Sequence, residues 1–275
     1  MKLRKFILKG PNYPNHSENR MNFEGDVLAA RNSFMSERFN NLDFLLKQRY
    51  SWMNEYLNSN QKIIEIGVGA GFSEFYLENK PLFTDTVKHD WVDEVVDATD
   101  MNYHNESIDV IIASHNIHHF YSPYKFFKEC ERVLKKGGLV IIQEINTSLF
   151  MRILLKLMRH EGWSYDVDVF NPKEITNDKK DPWSANCAVP ELLFSSTEKF
   201  QENFNNFTII KNEMCECLIL PLSGGVISKT RMIKLPTVIL KLISYFDKLL
   251  IFIFPNIFAF GRKVVIKKRD HDYEN

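Results

Sequence analysis

The chain has no excess of charge of either sign. Its 275 residues include 35 lysines and arginines and 35 aspartates and glutamates, so the formal net charge is zero. Proteins that neutralise a nucleic-acid backbone usually carry a basic excess or a basic face. The balance gives no electrostatic case for a nucleic-acid partner, and we expect none.

Cysteine is scarce, and its spacing matches no zinc site. The four cysteines lie at Cys130, Cys187, Cys215 and Cys217, without the paired spacings of zinc-binding motifs. Cys215 and Cys217 are interpreted as two residues of one strand, and the thiols as reduced in a cytoplasm. No metal triad is recognisable, so no metal is expected.

Long apolar runs are missing as well. Residues 1–9 are basic but have no apolar run adequate for a signal peptide. The apolar segment at 238–254 has its longest uncharged run at 249–261, which is too short to span a bilayer and contains Pro255. These features predict a cytoplasmic protein.

The most informative stretch is residues 63–72, where an apolar run and an acid lead into Gly67, Gly69 and Gly71. It predicts a strand that turns sharply into a helix. The glycines let the backbone approach a ligand, and the helix start offers unpaired N–H groups to it. Dinucleotide dehydrogenases space their glycines as Gly-x-Gly-x-x-Gly. Here Phe72 occupies the position of their third glycine, which disfavours a nicotinamide enzyme.

Strands and helices then alternate as far as residue 146. Apolar runs predict further strands at 81–87, 92–97, 107–114 and 139–145, with helices at 72–79 and 123–134. This alternation predicts a parallel sheet with helices on both faces.

An acid followed by Gly-x-Gly-x-Gly, together with residues 131–138, resembles class I methyltransferases of the type 11 kind, which use S-adenosylmethionine. The resemblance covers roughly residues 40–146. It implies an α/β, Rossmann-like fold, with a mostly parallel seven-stranded sheet and helices on both faces. It also implies that the last strand, at 259–268, is inserted antiparallel beside the fifth. The cofactor implied is S-adenosylmethionine.

On this interpretation the chain has three parts. Residues 1–60 form an N-terminal helical cap, and residues 61–146 form the cofactor-binding core. Residues 147–275 supply insertions after strands five and six for the substrate, and the last two strands that complete the sheet. Apolar residues at helical spacing predict two helices within 29–58, and further helices are predicted at 149–158 and 190–204, with a sixth strand at 207–220. The cap arginines, Arg31, Arg38 and Arg49, are interpreted as solvated.

The resemblance assigns the cofactor-binding residues to the ends of strands. They are Glu65, Gly67, Gly69, Gly71, Asp85, Asp97, Ala98 and Ser114. Asp85 lies about twenty residues past Glu65, where a βαβ unit places an acid on the ribose hydroxyls. The alternative for Asp85 is a solvated turn residue. Asp97 and Ala98 match positions that contact adenine in the resembled family, and the alternative for Asp97 is a helix cap or an Asx turn.

Methyl transfer to a hydroxyl needs a base, and histidine is the usual choice. His115 and His118 come directly after the fourth strand, at the sheet edge where ligands bind. His160 lies in the insertion after the fifth strand. These three are the candidate catalytic residues, whereas His119 is assigned a packing role.

The long insertion after the fifth strand is rich in aromatic, amide and acidic residues, which suit a sugar ring. Its candidate substrate-binding residues are Glu161, Trp163, Trp183 and Asn186. The segment has a looser resemblance to methyltransferases encoded with bacterial surface-polysaccharide enzymes. This suggests O-methylation of a sugar in a nucleotide sugar or lipid-linked glycan. The alternatives are another small-molecule acceptor and a non-catalytic module that binds S-adenosylmethionine.

Two later segments have more than one interpretation. The turn at 221–225 fits a backbone nest for a phosphate or a simple hairpin. The apolar helix at 238–254 fits packing in the core, a homodimer interface or contact with a membrane surface, which would place the protein at the inner face of the membrane.

Overall fold

A seven-stranded sheet in the order β3-β2-β1-β4-β5-β7-β6 organises the chain. The computed structural model describes residues 12–13, 26–159, 161–181, 183–227 and 230–270. The strands are β1 (Ile63–Ile66), β2 (Leu82–Asp85), β3 (Glu94–Val95), β4 (Ile108–Ser114), β5 (Leu134–Ile145), β6 (Phe207–Cys215) and β7 (Gly261–Lys268).

The direction of the strands confirms the predicted fold. Strands β1 to β5 pair in parallel, and β7 lies antiparallel between β5 and β6. Strands β1 and β4 are apolar along nearly their whole length because both of their faces are covered. The carboxyl ends of β1, β4 and β5 therefore meet at one edge of the sheet.

Nine α-helices lie among the described residues. They are α1 (Val27–Ser36), α2 (Asn40–Tyr50), α3 (Pro123–Val133), α4 (Leu149–Met158), α5 (Val189–Phe194), α6 (Thr197–Asn203), α7 (Ile219–Leu222), α8 (Thr237–Ile253) and α9 (Pro255–Phe258). In this part of the chain, none is long and apolar enough to cross a bilayer.

The two faces of the sheet bury separate cores. Phe126 and Phe127 of α3 pack on the face that carries Ile64. The cap helices pack on the other face, where Phe34 joins the cluster of Ile63. Successive residues of β1 point to opposite faces, so one short strand contributes to both cores.

Some predicted helices and strands have different bounds. The helix predicted at 72–79 is only a 3₁₀ turn, Phe72–Phe75, because Asn54 binds the chain just beyond it. The Asn54 amide donates to the Tyr76 carbonyl and accepts from the Glu78 N–H, both at 3.0 Å.

The helix predicted between residues 190 and 204 is in fact two helices, α5 and α6. Ser196 starts the second of them, since its hydroxyl accepts from the Lys199 N–H at 3.1 Å. The strand predicted from residue 207 to 220 ends at Cys215, where Glu216 adopts a left-handed φ of 57°.

Candidate active site

The glycine segment forms an open loop at the end of β1. Gly67, Gly69 and Gly71 have φ values of 61°, 50° and 65°, a region that residues with a Cβ rarely adopt. A Cβ built on Gly69 would meet no atom within 4 Å, so this part of the backbone is open to a ligand. The loop has the character expected of a cradle for the predicted cofactor.

A cavity of about 500 Å³ lies against this loop. It collects residues from the ends of β1 and β4, the cap, and the insertion after β5. Its polar lining includes Arg49, Ser114, His115, His118, His119, Glu161 and Trp183, beside Gly67 and Gly69. Seven of the predicted cofactor, catalytic and substrate residues thus line one cavity, although they are distant in sequence.

Asp85 lies beside the glycine loop, as predicted for a residue near the ribose. One of its carboxylate oxygens accepts from the Gly69 N–H at 3.0 Å, and the other accepts from the Val87 N–H at 3.1 Å. These contacts hold the carboxylate at the loop through backbone donors. Its role toward the ribose stays a prediction.

Asp97 forms the Asx turn that was its alternative assignment. One oxygen accepts from the Thr99 N–H at 2.9 Å, and the other lies 3.2 Å from Nζ of Lys179 in the insertion. Burial alone would raise the pKa of Asp97, but the hydrogen bonds from Thr99 and Lys179 lower it overall. Ala98 is buried in the core. Contact of either residue with adenine stays a prediction.

Glu65 is placed away from the cavity. Its carboxyl group is buried, 2% exposed, and accepts a hydrogen bond from the Ser73 hydroxyl. Burial raises the pKa of Glu65 to about 8. In this arrangement Glu65 ties β1 to the turn that follows the glycines.

His115 has the most unusual backbone and side chain at the site. Its φ is 53°, and its N–H donates to the Gln143 carbonyl at 2.7 Å. Its ring atom Nε2 is buried and has no hydrogen-bond partner. Burial, together with the charges of Arg49 and His118, holds the pKa of His115 well below its usual value. The ring is therefore neutral, it lines the cavity, and its Nε2 has no hydrogen-bond partner in the described part of the chain.

His118 and His119 converge on Glu161 from the insertion. His118 Nδ1 lies 2.7 Å from Glu144 at the end of β5, and its Nε2 lies 3.7 Å from Glu161. His119 Nδ1 lies 3.0 Å from the Ser184 carbonyl, and its Nε2 lies 3.7 Å from the other oxygen of Glu161. The insertion therefore completes a cluster that begins after β4.

The surroundings set the protonation of these two histidines in opposite directions. Burial alone would lower the pKa of His118, but the carboxylates of Glu144 and Glu161 outweigh it and raise the pKa to about 10. Burial and the neighbouring His118 charge lower the pKa of His119 to about 4. His118 thus holds a second proton near neutral pH, which disfavours it as a base. His160 lies outside the described residues.

The predicted substrate residues are divided between two cavities. Glu161 and Trp183 line the cavity at the glycine loop. Trp163 and Asn186 instead line a second cavity of about 530 Å³, where Trp163 stacks on Tyr13 at 5.2 Å. Trp163 is 3% exposed, because it packs in the core under the insertion.

Three groups near the site were missed or misjudged in the sequence. Arg49 is not solvated but 5% exposed and paired with Glu216. Arg31 is not solvated either, since it lies over the Trp91 ring at 4.7 Å and donates to the Ala70 carbonyl at 2.8 Å. Glu144 was missed, although the sequence gives a reason to examine it. A carboxylate inside an otherwise apolar strand needs a buried partner.

Comparison with known proteins agrees with this geometry. Residues 64–142 match the methyltransferase domain family. No curated protein matches the sequence.

Solved methyltransferase structures align with most of the chain. A SAM-dependent methyltransferase from Archaeoglobus fulgidus aligns with 17% identity over 86% of this chain and 98% of its own, with a TM-score of 0.51. A chain of the Haloferax volcanii complex between the Trm112 activator and a methyltransferase aligns with 13% identity over 91% of this chain and 97% of its own, with a TM-score of 0.49. A SAM-dependent methyltransferase from Thermotoga maritima aligns with 17% identity over 90% of this chain and 98% of its own, with a TM-score of 0.47.

The matched residues contain most of β1, the glycine loop, β4 and most of β5, and the glycine loop and the end of β4 line the cavity. The fold of the chain is similar to that of the Archaeoglobus structure. Residues 64–142 therefore form a methyltransferase domain, and the chain has the Rossmann-like class I fold of an S-adenosylmethionine-dependent methyltransferase.

Proposed function

We propose that the protein O-methylates a sugar hydroxyl of a nucleotide sugar or a lipid-linked glycan during surface polysaccharide synthesis. The observation that carries this proposal is His115, which lines the cavity at the glycine loop and whose buried Nε2 has no hydrogen-bond partner among the described residues. Trp183 adds an aromatic surface from the insertion, which suits the apolar face of a sugar ring. An amine, another small molecule and simple cofactor binding are the competing assignments.

Different residues of the chain have different roles in the proposed methyl transfer. Bound S-adenosylmethionine supplies an electrophilic methyl group on a positively charged sulfur. The glycine loop and Asp85 hold the adenosine end, and the walls formed by Met151 and Leu155 exclude water from the cavity. His115 Nε2 accepts the proton of the hydroxyl as its oxygen forms the new bond to the methyl carbon. The electron pair of the broken carbon–sulfur bond stays on sulfur, so charge and atoms balance.

An acceptor screen tests the proposal directly. Labelled S-adenosylmethionine is incubated with the full chain and with nucleotide sugars, lipid-linked sugars, small phenols and amines. We expect label to appear as a methyl ether on a sugar. Transfer only to a phenol or an amine would reject the sugar assignment. Tight cofactor binding without transfer to any acceptor would favour the non-catalytic module.

Gly69→Ala should weaken S-adenosylmethionine binding by about tenfold or more, which corresponds to about 1.4 kcal/mol. The added methyl projects into the cavity, and the left-handed backbone becomes strained. The affinity is measured by calorimetry.

Gly137→Ala is the matched control for this change. Gly137 has a comparable φ of 75° but lies in β5 beside Asp270, outside the residues that line the cavity. It should lose stability and keep its affinity. An equal loss of affinity in both variants would remove the glycine loop from the cofactor site.

Helix α8 supports a lipid-linked acceptor because it buries polar residues and exposes apolar ones, the reverse of an ordinary surface helix. The buried side carries Ser244 and Asp247, which bind Gln48 and the start of α7, respectively. The solvent side is apolar, with Phe252 86% exposed. The other exposed apolar residues are Val238, Ile239, Leu242, Tyr245, Phe246, Leu249, Ile253 and Phe254.

The charge of this surface fits an anionic bilayer. Between residues 230 and 258 the exposed charged residues are Arg231, Lys234, Lys241 and Lys248, and the acid Asp247 is buried. The apolar surface continues onto α4, where Phe150 stacks on Phe258 at 5.1 Å. Since α4 also lines the cavity, we propose that α8 rests on the inner face of the membrane and directs the cavity toward it.

Phe252→Glu should lower binding to vesicles that contain anionic lipid, as measured by flotation. The change places a charge on the surface that would enter the interface. Ile175→Glu is the matched control, because Ile175 is 68% exposed but outside α8. If the wild-type chain does not bind vesicles and Phe252→Glu instead converts a dimer into a monomer, the exposed apolar surface of α8 is a homodimer interface.

A further inference from the structure

The cluster of His118, His119 and Glu161 has the composition of a metal site. One ligand atom of each residue lies within 4.8 Å of the ligand atoms of the other two. The two Nε2 atoms each lie 3.7 Å from an oxygen of Glu161, too far for a hydrogen bond. The two imidazole rings pack on each other with their centroids 4.3 Å apart, and the Nε2 atom of each faces the carboxylate of Glu161.

Each histidine is oriented by a partner on its other ring nitrogen. His118 Nδ1 is held by the carboxylate of Glu144, which is 0% exposed. His119 Nδ1 is held by the Ser184 carbonyl. Imidazoles that ligate a metal usually donate their second N–H to a carboxylate or a backbone carbonyl in this way. These contacts leave both Nε2 atoms directed at the carboxylate of Glu161.

Glu161 is oriented as well. The Cys187 thiol donates to one of its oxygens at 3.1 Å. All three ligands are thus held in place by the residues behind them.

We propose that His118, His119 and Glu161 bind a divalent transition-metal cation that takes the acceptor hydroxyl as a further ligand. Two imidazoles and one carboxylate suit such a cation and leave coordination positions open. The inference rests on the proposed function, because it assigns the same cavity a means of holding the hydroxyl and making it more acidic. His115 then receives the proton that the bound hydroxyl releases.

The spacing of the cluster is close to that of a ligated set. Ligand atoms at about 2.1 Å from one cation, at tetrahedral or octahedral angles, lie about 3.0–3.6 Å apart. The separations of 3.7 Å run to the two different oxygens of Glu161, and one ligand atom from each residue lies within 4.8 Å of the others, so the three side chains must draw together to bind a cation. The cation replaces the second proton of His118, which is released to solvent when the metal binds.

Manganese binding to the full chain tests the inference without cofactor or acceptor. The protein is treated with a chelator and titrated with Mn²⁺, and free Mn²⁺ is followed by electron paramagnetic resonance. We expect saturable binding of a single ion, lost in Glu161→Gln and in His119→Ala. Glu144→Gln should weaken it by about 10–100-fold, as changes behind a ligand do. His104→Ala, which removes an exposed histidine elsewhere, should bind as the wild type does.

The result separates this inference from the proposed function. If the chelated wild type binds no Mn²⁺ and still methylates its acceptor at full rate, His118 keeps its proton and the metal site is rejected. Binding that persists in both ligand variants would also reject it. Circular dichroism confirms that each variant is folded, and Glu144→Gln serves as an independent variant if a ligand variant unfolds.

Discussion

His115→Asn is expected to lower turnover by about 10²–10⁴-fold while the affinity for S-adenosylmethionine is unchanged. The substitution removes the ring nitrogen that would accept the proton. Asparagine tolerates the left-handed backbone at this position, where φ is 53°, so the end of β4 should keep its shape. Turnover is measured with the acceptor found in the screen, and affinity by calorimetry.

His104→Asn is the control, because His104 is exposed in a turn on another part of the chain. It should retain full turnover. A near-normal rate in His115→Asn would assign the proton to another group, of which neutral His119 is the nearest candidate in the cavity.

The predicted site residues that the structure places near one another depend on short stretches of sequence. The glycine loop, Asp85 and Ser114 follow strands whose apolar runs are easily recognised, and parallel strands bring their carboxyl ends to one edge. Local pattern is therefore sufficient to place them. The same reasoning predicted helix α4 with the bounds that the structure has, Leu149–Met158.

The histidine cluster could not be predicted from local pattern. It joins a turn after β4, a buried acid at the end of β5 and an acid in a long insertion, and the path of the insertion has no periodicity. His119 was interpreted as a packing residue from its role in similar sequences, whereas its Nε2 lies 3.7 Å from Glu161, which is distant in sequence. Trp163 and Trp183 look equivalent in the sequence, yet only Trp183 reaches the main cavity.

The buried polar residues of the cap and of α8 show a second limit of prediction from sequence periodicity. Arg49 lies in α2 among polar residues, and its burial depends on Glu216, which comes after β6. Asp247 and Ser244 form a polar stripe that is normally assigned to solvent. In the structure that stripe faces the protein, because the start of α7 and Gln48 need hydrogen-bond partners there. Helical period gives the two sides of a helix but not which side is buried.

Arg49→Met is expected to lower the free energy of unfolding by about 3–5 kcal/mol, because it leaves a buried carboxylate without its cation. Nε and Nη2 of Arg49 donate to the two oxygens of Glu216 at 2.9 and 2.7 Å, and both side chains are almost fully buried, 6% and 5% exposed. Gln143 donates to the same carboxylate at 3.0 Å but carries no charge. Stability is measured by urea unfolding.

Lys135→Met is the matched control for Arg49→Met. Lys135 pairs with Asp109 at 2.8 Å but is 46% exposed, so its loss should cost at most about 1 kcal/mol. The double variant Arg49→Met with Glu216→Gln should recover much of the stability, since no buried charge is then left alone. Because Arg49 also lines the cavity, the single variant should loosen α2 over the glycine loop and weaken S-adenosylmethionine binding. Equal losses in Arg49→Met and Lys135→Met would mean that the Arg49 pair is no more important than a surface one.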